Sequence, residues 1–182
     1  KNESVEETPF VIDERLRDCL LHTEGIHHYQ LVANKAGMIK TDDEIQGVVM
    51  KGVDDGYDWS YFSQCLIQGT LPDYQGDERS NDVLISKNIA NKMLLAVGDA
   101  MRVWFIDEDM QAKGRKFTVV GIFETGLSEF DERYVFCDLR QIRKLNRWSD
   151  DETGMVEVWT EDWEQTAAVN ERLYHSLSAN LA

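Results

Sequence analysis

The chain lacks the marks of several protein classes. It has two prolines and three cysteines in 182 residues. No run of apolar residues approaches the ~20 needed to cross a bilayer as a helix, and the longest runs are 93–97 and 119–123. The sequence starts at Lys1 without a basic-then-apolar secretory leader, so we expect it to be an excised piece of a longer product.

Basic residues are also scarce. The chain has 34 acidic residues against 19 Lys and Arg, which gives a net charge of −15. A protein that binds the phosphate backbone needs clustered cations to displace counterions. The sequence therefore predicts that the protein does not bind nucleic acid, and the net charge also disfavours a bare anionic lipid surface.

Apolar residues are sufficient for a folded core. Hydrophobic residues make up 42% of the chain and aromatic residues 10%, which excludes an intrinsically disordered protein. The length suits one domain or two interleaved lobes, since domains usually have about 100–200 residues. No repeat, low-complexity tract or linker marks a boundary.

Sequence motifs for common chemistries are missing. There is no G-x-x-x-x-G-K-[ST] phosphate loop, so we expect no nucleotide or other cofactor in this chain. H-E-x-x-H is absent, and 126–130 lacks the second glycine of G-x-S-x-G. No C-x-x-C occurs, and Cys19, Cys65 and Cys137 are interpreted as single buried thiols whose redox state stays open.

Other polar or aromatic groups are weak candidates for a site. His27 and His28 are adjacent and would point to opposite faces of a strand, and His22 is no better placed as a ligand. Carboxylates could bind calcium or do acid–base work, and acidic residues occur at 54–55, 107–109, Glu124 and 131–133. They are interpreted as solvated turns or strand ends. Trp59, Trp104, Trp148, Trp159 and Trp163 are interpreted as core residues in preference to a sugar or peptide platform. The predicted catalytic, cofactor-binding and metal-ligating sets are therefore empty.

Hydrophobic periodicity predicts an alternation of helices and strands in the first half. It predicts a helix over 12–23 and strands over 26–34, 37–40 and 45–53. Asp58 is predicted to cap a two-turn helix that buries Trp59, Phe62 and Leu66. A strand over 82–86 leads into a helix capped by Ser86, with the buried residues Ile89, Ala90, Met93 and Leu94.

The second half has the same character. A turn at 97–99 precedes two alternating strands, the first with Met101, Val103 and Phe105 on one face. The polar segment 107–114 is predicted to join these strands as an exposed hairpin tip. A strand over 133–137 leads into a helix over 139–146, whose Asp138 and Gln141 resemble a capping box. A strand over 155–159 precedes a last helix with Trp163, Ala167, Tyr174 and Leu177 on one face. These elements predict an α+β fold.

Several strings of the sequence resemble one family. They are KAGMIKT at 35–41, QGVVMKGVD at 46–54, YDW at 57–59, VLISKNIANK at 83–92, VGD at 97–99, KFTVVGIFETG at 116–126 and FCDLRQI at 136–142. In this order and spacing they resemble the extracytoplasmic, MacB-like periplasmic core domain of FtsX/LolC/LolE-type ABC-transporter permeases, especially those of Bacteroidetes. The resemblance covers about 24–147 well and both ends loosely.

The resemblance implies an architecture and a location. It implies a porter-like α/β lobe formed by 1–55 and 127–182, with a smaller β-rich, Sabre-like lobe inserted at 56–126. Such a domain lies on the periplasmic side of the bacterial inner membrane, held through flanking membrane helices. The first segment, 8–12, and the last helix, 162–181, would then leave the porter-like lobe at the same end.

The resemblance also implies a function. The domain would be non-catalytic and would transmit ATP-driven motion of membrane helices to an extracytoplasmic substrate. The implied partners are a separate ATPase subunit or domain that uses the ATP, a second permease copy, and a lipoprotein substrate or periplasmic carrier. MacB-like export and FtsX-like cell-wall regulation remain alternatives on the same fold, and a soluble Asp/Glu/His hydrolase remains an alternative of another class.

Overall fold

The computed structural model describes residues 6–41, 44–106 and 110–179, with side chains to His175 in the last helix. Within these residues there are ten strands and six α-helices. The strands are β1 (Phe10–Val11), β2 (Ile26–Lys40), β3 (Ile45–Val53), β4 (Leu66–Gly69), β5 (Asp82–Ser86), β6 (Ala100–Ile106), β7 (Ala112–Phe123), β8 (Tyr134–Asp138), β9 (Glu152–Thr153) and β10 (Met155–Thr160). The helices are α1 (Glu14–His22), α2 (Ser60–Cys65), α3 (Lys87–Met93), α4 (Ser128–Asp131), α5 (Leu139–Asn146) and α6 (Thr166–Ala179). The prediction of an α+β fold is confirmed.

Eight of the described strands form one mixed sheet that curls into a ring. Its strand order is β10-β2-β3-β8-β5-β7-β4, and β6 pairs with both β7 and β2. The ring therefore runs β2-β3-β8-β5-β7-β6 and closes at two residue pairs, Met38 with Trp104 and Ile39 with Val103. Gly37 lies beside this closure, where a Cβ atom would stand 2.7 Å from the Val103 side chain. Only a residue without a side chain lets β2 approach β6 so closely.

The main hydrophobic core fills the inside of the ring. Strand alternation directs Met101, Val103 and Phe105 of β6 inward, as the sequence predicts, and each is at most 1% exposed. Val48 and Met50 of β3 face them, and α1, α3 and α5 close the same side. Each inward side chain is out of contact with water, so this core supplies most of the apolar burial that stabilises the fold.

A second, aromatic layer covers the other side of the sheet. Phe123 and Phe136 of the sheet pack against Phe62 of α2, with ring centroids 5.2 and 4.5 Å apart, respectively. Trp59, which precedes α2, and Tyr74, which follows β4, extend this layer. Edge-to-face contacts of this kind contribute about 0.5–1.5 kcal/mol beyond their area burial.

Side-chain caps begin the helices where the sequence predicts them. Ser86 Oγ accepts a hydrogen bond from the Ile89 amide at 3.1 Å, and Asp138 Oδ1 accepts one from the Arg140 amide at 2.9 Å. The capping box at Asp138 is wrong, however. Gln141 Nε2 donates to Ser80 O and Asn81 Oδ1 because the segment before β5 lies within its reach.

The structure corrects three further predictions. The strands predicted at 26–34 and 37–40 are one strand, β2, which continues through Gly37. The helix after Asp58 begins at Ser60, and it buries Phe62 while Trp59 and Leu66 lie outside it and are only partly buried. The hairpin segment 107–114 is shorter, since 112–114 belong to β7; 107–109 lie outside the described residues, and Met110 is exposed.

The last helix buries a different face from the predicted one. A 3₁₀ turn at Trp163–Gln165 precedes α6 and changes its phase. Val169 is therefore the buried residue, while Trp163 is 81% and Tyr174 70% exposed and Ala167 is exposed as well. The side chain of Leu177 lies outside the described residues.

The strands of both predicted lobes belong to the same sheet. β8, from the segment assigned to the porter-like lobe, pairs with β5, from the segment assigned to the insertion. The division into 1–55 with 127–182 and 56–126 stays a prediction. In the structure, backbone hydrogen bonds join strands of both segments into one sheet.

The sequence predicted that Leu94 is buried with the other apolar residues of α3, and this prediction is wrong. Leu94 is 86% exposed and has a left-handed backbone conformation, φ 53° and ψ 44°, at the end of the helix. A side chain in that conformation costs about 1–2 kcal/mol, which glycine does not incur.

We therefore expect Leu94→Gly to raise the free energy of unfolding by about 0.5–1 kcal/mol, after the larger entropy of the unfolded glycine chain is subtracted. Urea denaturation monitored by circular dichroism measures this change. Leu94→Ala is the control, because it keeps the Cβ atom in the left-handed conformation and should leave stability nearly unchanged. Equal gains in both variants would contradict the explanation.

Candidate functional site

An apolar cleft of about 620 Å³ lies between α1 and α6 over the edge strand β10. We call it the α1–α6 groove. It is lined by Phe10, Leu16, Leu20, Gly154, Met155, Val156, Val158, Thr160, Thr166, Val169, Asn170, Leu173 and Tyr174. None of these residues carries a charge, although charged residues make up 29% of the chain. Its volume is in the range of about 300–1,000 Å³ typical of ligand pockets.

The groove is formed by residues that the sequence analysis placed on elements but did not combine. Leu16 and Leu20 are one turn apart on α1, and Val156 and Val158 alternate on β10. Their periodicities were visible in the sequence. What the sequence did not reveal is that α6 turns back over β10, next to Phe10.

The position of α6 is fixed at the turn between α1 and β2. Arg172 Nη1 donates a hydrogen bond of 2.7 Å to the backbone oxygen of Glu24. Gly25 has φ +94°, and a Cβ atom there would stand 2.8 Å from Val169 Cγ2. Glycine is required both for the backbone conformation and for the contact, so α6 rests directly on the turn that starts β2.

The first and last described elements lie side by side. Phe10 of β1 and Tyr174 of α6 line the same groove, and β1 pairs with β9 just before β10. Residues 180–181 of the predicted last helix lie outside the described residues. The direction in which the two segments leave the domain stays a prediction.

A second cleft, of about 550 Å³, opens on the aromatic side of the sheet. We call it the aromatic cleft. It is lined by Lys51, Tyr57, Tyr61, Phe62, Thr125, Leu127, Phe130, Phe136, Glu157, Val158 and Trp159. Its floor is hydrophobic, and Leu127 and Tyr61 are exposed at its rim.

The polar groups of the aromatic cleft bind one another. Lys51 Nζ lies 2.5 Å from Glu157 Oε1, and the other carboxylate oxygen accepts a hydrogen bond of 2.7 Å from Gln30. Gln30 Oε1 in turn accepts from the Asp58 amide at 3.0 Å. Burial, reinforced by the Glu157 carboxylate, raises the pKa of the Tyr57 hydroxyl. An ion pair beside a neutral phenol attaches the 54–59 segment to the sheet and provides neither a free base nor a nucleophile.

Asp131 holds the turn that forms one wall of the aromatic cleft. Its buried carboxylate accepts hydrogen bonds from the Thr125 amide, the Thr125 hydroxyl and the Gly126 amide, at 2.7–3.3 Å. Glu124 forms an exposed ion pair with Lys87, and together with Asp131 it lines a third cleft, of about 550 Å³. In this cleft the Glu124 carboxylate contacts Lys87 and the Asp131 carboxylate contacts the 125–126 turn, so the two carboxylates have separate partners.

The remaining sequence candidates are also separated. His27 is exposed and His28 half-buried, on opposite sides of β2 as expected. His22 Nδ1 lies 2.9 Å from the Asp18 carbonyl of its own helix. Asp54 contacts the Leu31 amide, whereas its neighbour Asp55 is exposed. Residues 107–109 lie outside the described residues.

The tryptophans and cysteines divide by burial. Trp59, Trp104 and Trp148 are partly buried, but Trp159 is 41% and Trp163 81% exposed, so the core interpretation is wrong for these two.

Cys137 is buried, while Cys19 and Cys65 are partly buried, and all three are free thiols. Burial and the nearby Asp138 carboxylate raise the pKa of the Cys137 thiol, which disfavours its reactive thiolate form.

Asp54 is a half-buried carboxylate with one oxygen that lacks a hydrogen-bond partner in the described residues. Its Oδ2 accepts from the Leu31 amide at 3.1 Å. Burial raises the pKa of this carboxyl, and Asp55 raises it further, against the opposing effects of the Leu31 hydrogen bond and Arg143. Because the folded-state pKa is raised, ionising Asp54 costs stability as pH rises from about 4 through that pKa.

We therefore expect Asp54→Asn to raise the melting temperature by a few degrees at pH 7 and to have less effect at pH 4, where a larger fraction of the Asp54 carboxyl is protonated. Thermal unfolding followed by circular dichroism at pH 4, 5, 6 and 7 measures the difference. Asp55→Asn, at the exposed neighbour, is the control and should not reproduce this profile. A gain that is the same at all pH values would contradict the assignment to ionisation.

Among residues 6–41, 44–106 and 110–179, no cluster of three or more His, Cys, Asp or Glu residues could hold a metal ion. In the same part of the chain, each helix is too short or too polar to span a bilayer.

The fold and its clefts define an α+β domain with two largely apolar clefts. The profile of the family described as MacB-like periplasmic core domain matches residues 22–175. The chain belongs to this family of periplasmic domains of MacB-like ABC-transporter permeases and lies on the extracytoplasmic side of the membrane. The predicted family and location are confirmed. No curated protein sequence matches the chain significantly.

Solved structures have the same fold. The extracellular domain of the noncanonical ABC-type transporter YknZ from Gram-positive bacteria superposes with a TM-score of 0.65 at 18% identity, over 98% of this chain and 86% of that one. The periplasmic region of MacB from Actinobacillus actinomycetemcomitans superposes with a TM-score of 0.58 at 13% identity, over 89% of this chain and 71% of that one.

Proposed function

We propose that this domain is non-catalytic and transmits ATP-driven movement of permease membrane helices to an extracytoplasmic lipoprotein. The closed ring of strands is the observation that carries the proposal. It joins segments from both halves of the chain by backbone hydrogen bonds, so a displacement at one end moves the whole domain. The complex that we propose also contains a separate ATPase and a second permease copy.

The contact between α6 and the Gly25 turn is the point where movement enters. Arg172 and Val169 of α6 hold the turn from which β2 starts. β2 then runs 15 residues across the domain and pairs with β3, β6 and β10. A push on α6 is therefore delivered to the longest strand of the sheet, not to a loop.

The α1–α6 groove supports a lipid-modified substrate. An acyl chain that leaves the bilayer would expose its methylenes to water at a cost of about 0.8 kcal/mol each, and an apolar groove offsets this cost by burying them again. A groove without charged lining residues is suited to receive such a chain, whereas a polar peptide would leave its backbone groups unsatisfied there. This is the reason to prefer lipoprotein release to export of polar cargo.

The polar groups of the described residues support a non-catalytic role. Asp131, Asp138 and Glu157 each accept hydrogen bonds from structural neighbours, which fix these carboxylates in place. An acid–base enzyme instead needs titratable groups that converge on a pocket.

Reconstitution of the complete permease with its ATPase in proteoliposomes tests the proposal. We expect Tyr174→Glu, which places a charge at the groove, to reduce release of a triacylated lipoprotein on the order of tenfold while ATP hydrolysis continues. Glu171→Gln, exposed on the same helix and outside the groove, should leave release unchanged. Equal release of the acylated and unacylated forms of one cargo, or no effect of Tyr174→Glu, would refute the lipoprotein assignment.

A further inference from the structure

Two cations face each other on the outside of the ring. Arg102 of β6 is paired directly with Lys116 of β7, and both are exposed. In the register that pairs Ile39 with Val103, Lys40 of β2 follows on the other side of Arg102. Adjacent strands are about 4.8 Å apart, so the three cations form a row across three strands. We call this the cationic row.

The cationic row is unfavourable for the folded domain by itself. Like charges directly opposite each other on neighbouring strands destabilise a sheet. No described residue forms an ion pair or a hydrogen bond with the side chain of Lys40, Arg102 or Lys116. The chain has a net charge of −15, so acidic residues are abundant, yet no ion pair among the described residues involves this row.

An apolar step runs parallel to the cationic row. It consists of Met38 and Trp104. Met38 is paired with Trp104, and Trp104 with Gly114, so the step lies two residues along the same strands from the cationic row and on the same outward face. Met38 is 42% exposed, and the Trp104 ring lies against Gly114, where a Cβ atom would stand 3.2 Å from it. On the other side Met38 is paired with Gly47, which leaves open space above β3. Positions i and i+2 of a strand are about 6.6 Å apart, so the step is within reach of a ligand on the row.

The row lies far from α6. β2 begins at Ile26, next to the turn that contacts α6, and reaches Lys40 after 15 residues, a path of roughly 45–50 Å along an extended strand. The surface is therefore separate from both the α1–α6 groove and the aromatic cleft. A ligand bound there would lie at the end of the domain that is far from α6, and a displacement of α6 would move that end together with the rest of the domain.

We infer that the cationic row and the apolar step bind an acidic segment of a partner protein, with carboxylates on Lys40, Arg102 and Lys116 and an aromatic or aliphatic side chain on Met38 and Trp104. The occupant is assigned from charge complementarity: the row is a local cationic surface on an anionic protein. Screening limits the repulsion from the rest of the chain to about 8–10 Å at physiological salt. A carboxylate partner also removes the repulsion between Arg102 and Lys116.

Binding of acidic polypeptides to the chain tests this inference. The probes are poly-L-glutamate and a random copolymer of glutamate and tyrosine, measured by biolayer interferometry at 50 and 150 mM salt. We expect both to bind, the copolymer more tightly because its tyrosines occupy the apolar step, and binding to weaken as salt rises. Met38→Ser should reduce the advantage of the copolymer.

Arg102→Glu separates docking from a structural role. It places opposite charges across from each other, so we expect the melting temperature to rise or stay unchanged while affinity for poly-L-glutamate falls roughly tenfold. Arg15→Glu, at an exposed position of α1, makes the same change in net charge and should retain binding. A fall in melting temperature with Arg102→Glu would mean that the row has a structural role. An equal loss of binding in Arg15→Glu would mean that net charge alone determines binding. Either result overturns the inference.

Two further measurements exclude other occupants. Binding of phosphatidylglycerol vesicles that Arg102→Glu abolishes, with no binding of the acidic polypeptides, would identify a lipid surface instead. Sedimentation velocity that shows self-association of the wild type, lost in Arg102→Glu, would identify a second copy of the chain. Either outcome contradicts an acidic segment of another protein.

Discussion

Gly121→Ala is expected to lower the free energy of unfolding by about 3 kcal/mol or more. Gly121 lies in β7 between two neighbours, Gly69 of β4 and Leu84 of β5. A Cβ atom at this position would stand 2.2 Å from the backbone oxygen of Thr70 and 2.8 Å from Leu84 Cδ1. Since a backbone oxygen cannot rotate away, β4 must move and its pairing with β7 is lost. Urea denaturation measures the change.

Gly47 provides the matched control for this prediction. It is also a strand glycine, but a Cβ atom there would meet no heavy atom within 4 Å. We expect Gly47→Ala to be neutral or to stabilise by about 0.4–1 kcal/mol, because alanine reduces the freedom of the unfolded chain. Similar losses in the two variants would mean that strand glycines are needed for a reason other than the close approach.

Arg140→Ala is expected to cost about 2–4 kcal/mol and to loosen the segment that covers the aromatic layer. Arg140 contacts both carboxylate oxygens of Asp138 at 2.9–3.0 Å and donates to the carbonyl oxygens of Tyr74 and Gly76. The hydrogen bonds that Arg140 donates to the Asp138 carboxylate raise the pKa of the guanidinium, so Arg140 stays charged at every working pH. Without this side chain, the Asp138 carboxylate is left buried, with only two backbone amides as donors.

Two further variants separate the charge of Arg140 from its shape. Arg140→Lys keeps the charge but cannot reach Asp138 and both carbonyls together, so we expect an intermediate loss. Asp138→Asn combined with Arg140→Ala should recover part of the stability, because it removes the uncompensated buried charge. Limited proteolysis should cut the 73–79 segment faster in Arg140→Ala. If the double variant is less stable than the additive expectation, the buried charge is not the cause.

Local patterns predicted those parts of the fold that local chemistry determines. The alternation of Met101, Val103 and Phe105 gave the correct inward face of β6, and Ser86 and Asp138 gave the correct helix starts. These signals depend on side-chain direction and on hydrogen bonds within a few residues. The family resemblance used the order of such strings along the chain, so it identified the fold class without the strand pairing.

Long-range contacts determine the parts that the sequence analysis missed. The sequence predicted two strands with a break before Gly37, whereas β2 continues through Gly37, which allows the contact with Val103 where the ring closes. The face of α6 was wrong because the 3₁₀ turn at Trp163–Gln165 resets its phase, and the α1–α6 groove depends on that phase. Arg102 and Lys116 are 14 positions apart, and only the register of the β6–β7 pair brings them opposite each other.

Rigid transmission of movement is the central claim, and distances inside the working permease test it most directly. We would place spin labels at Glu171 on α6 and Thr118 on β7, after replacing Cys19, Cys65 and Cys137 with alanine and verifying that release activity is retained. Double electron–electron resonance would compare nucleotide-free and ATP-bound permease in proteoliposomes. We expect the distance within the domain to stay within about 2 Å while distances between the Glu171 labels of two permease copies change by more. A shift of several ångströms between Glu171 and Thr118 on ATP binding would contradict the claim, because the domain would then deform instead of carrying the movement to its substrate.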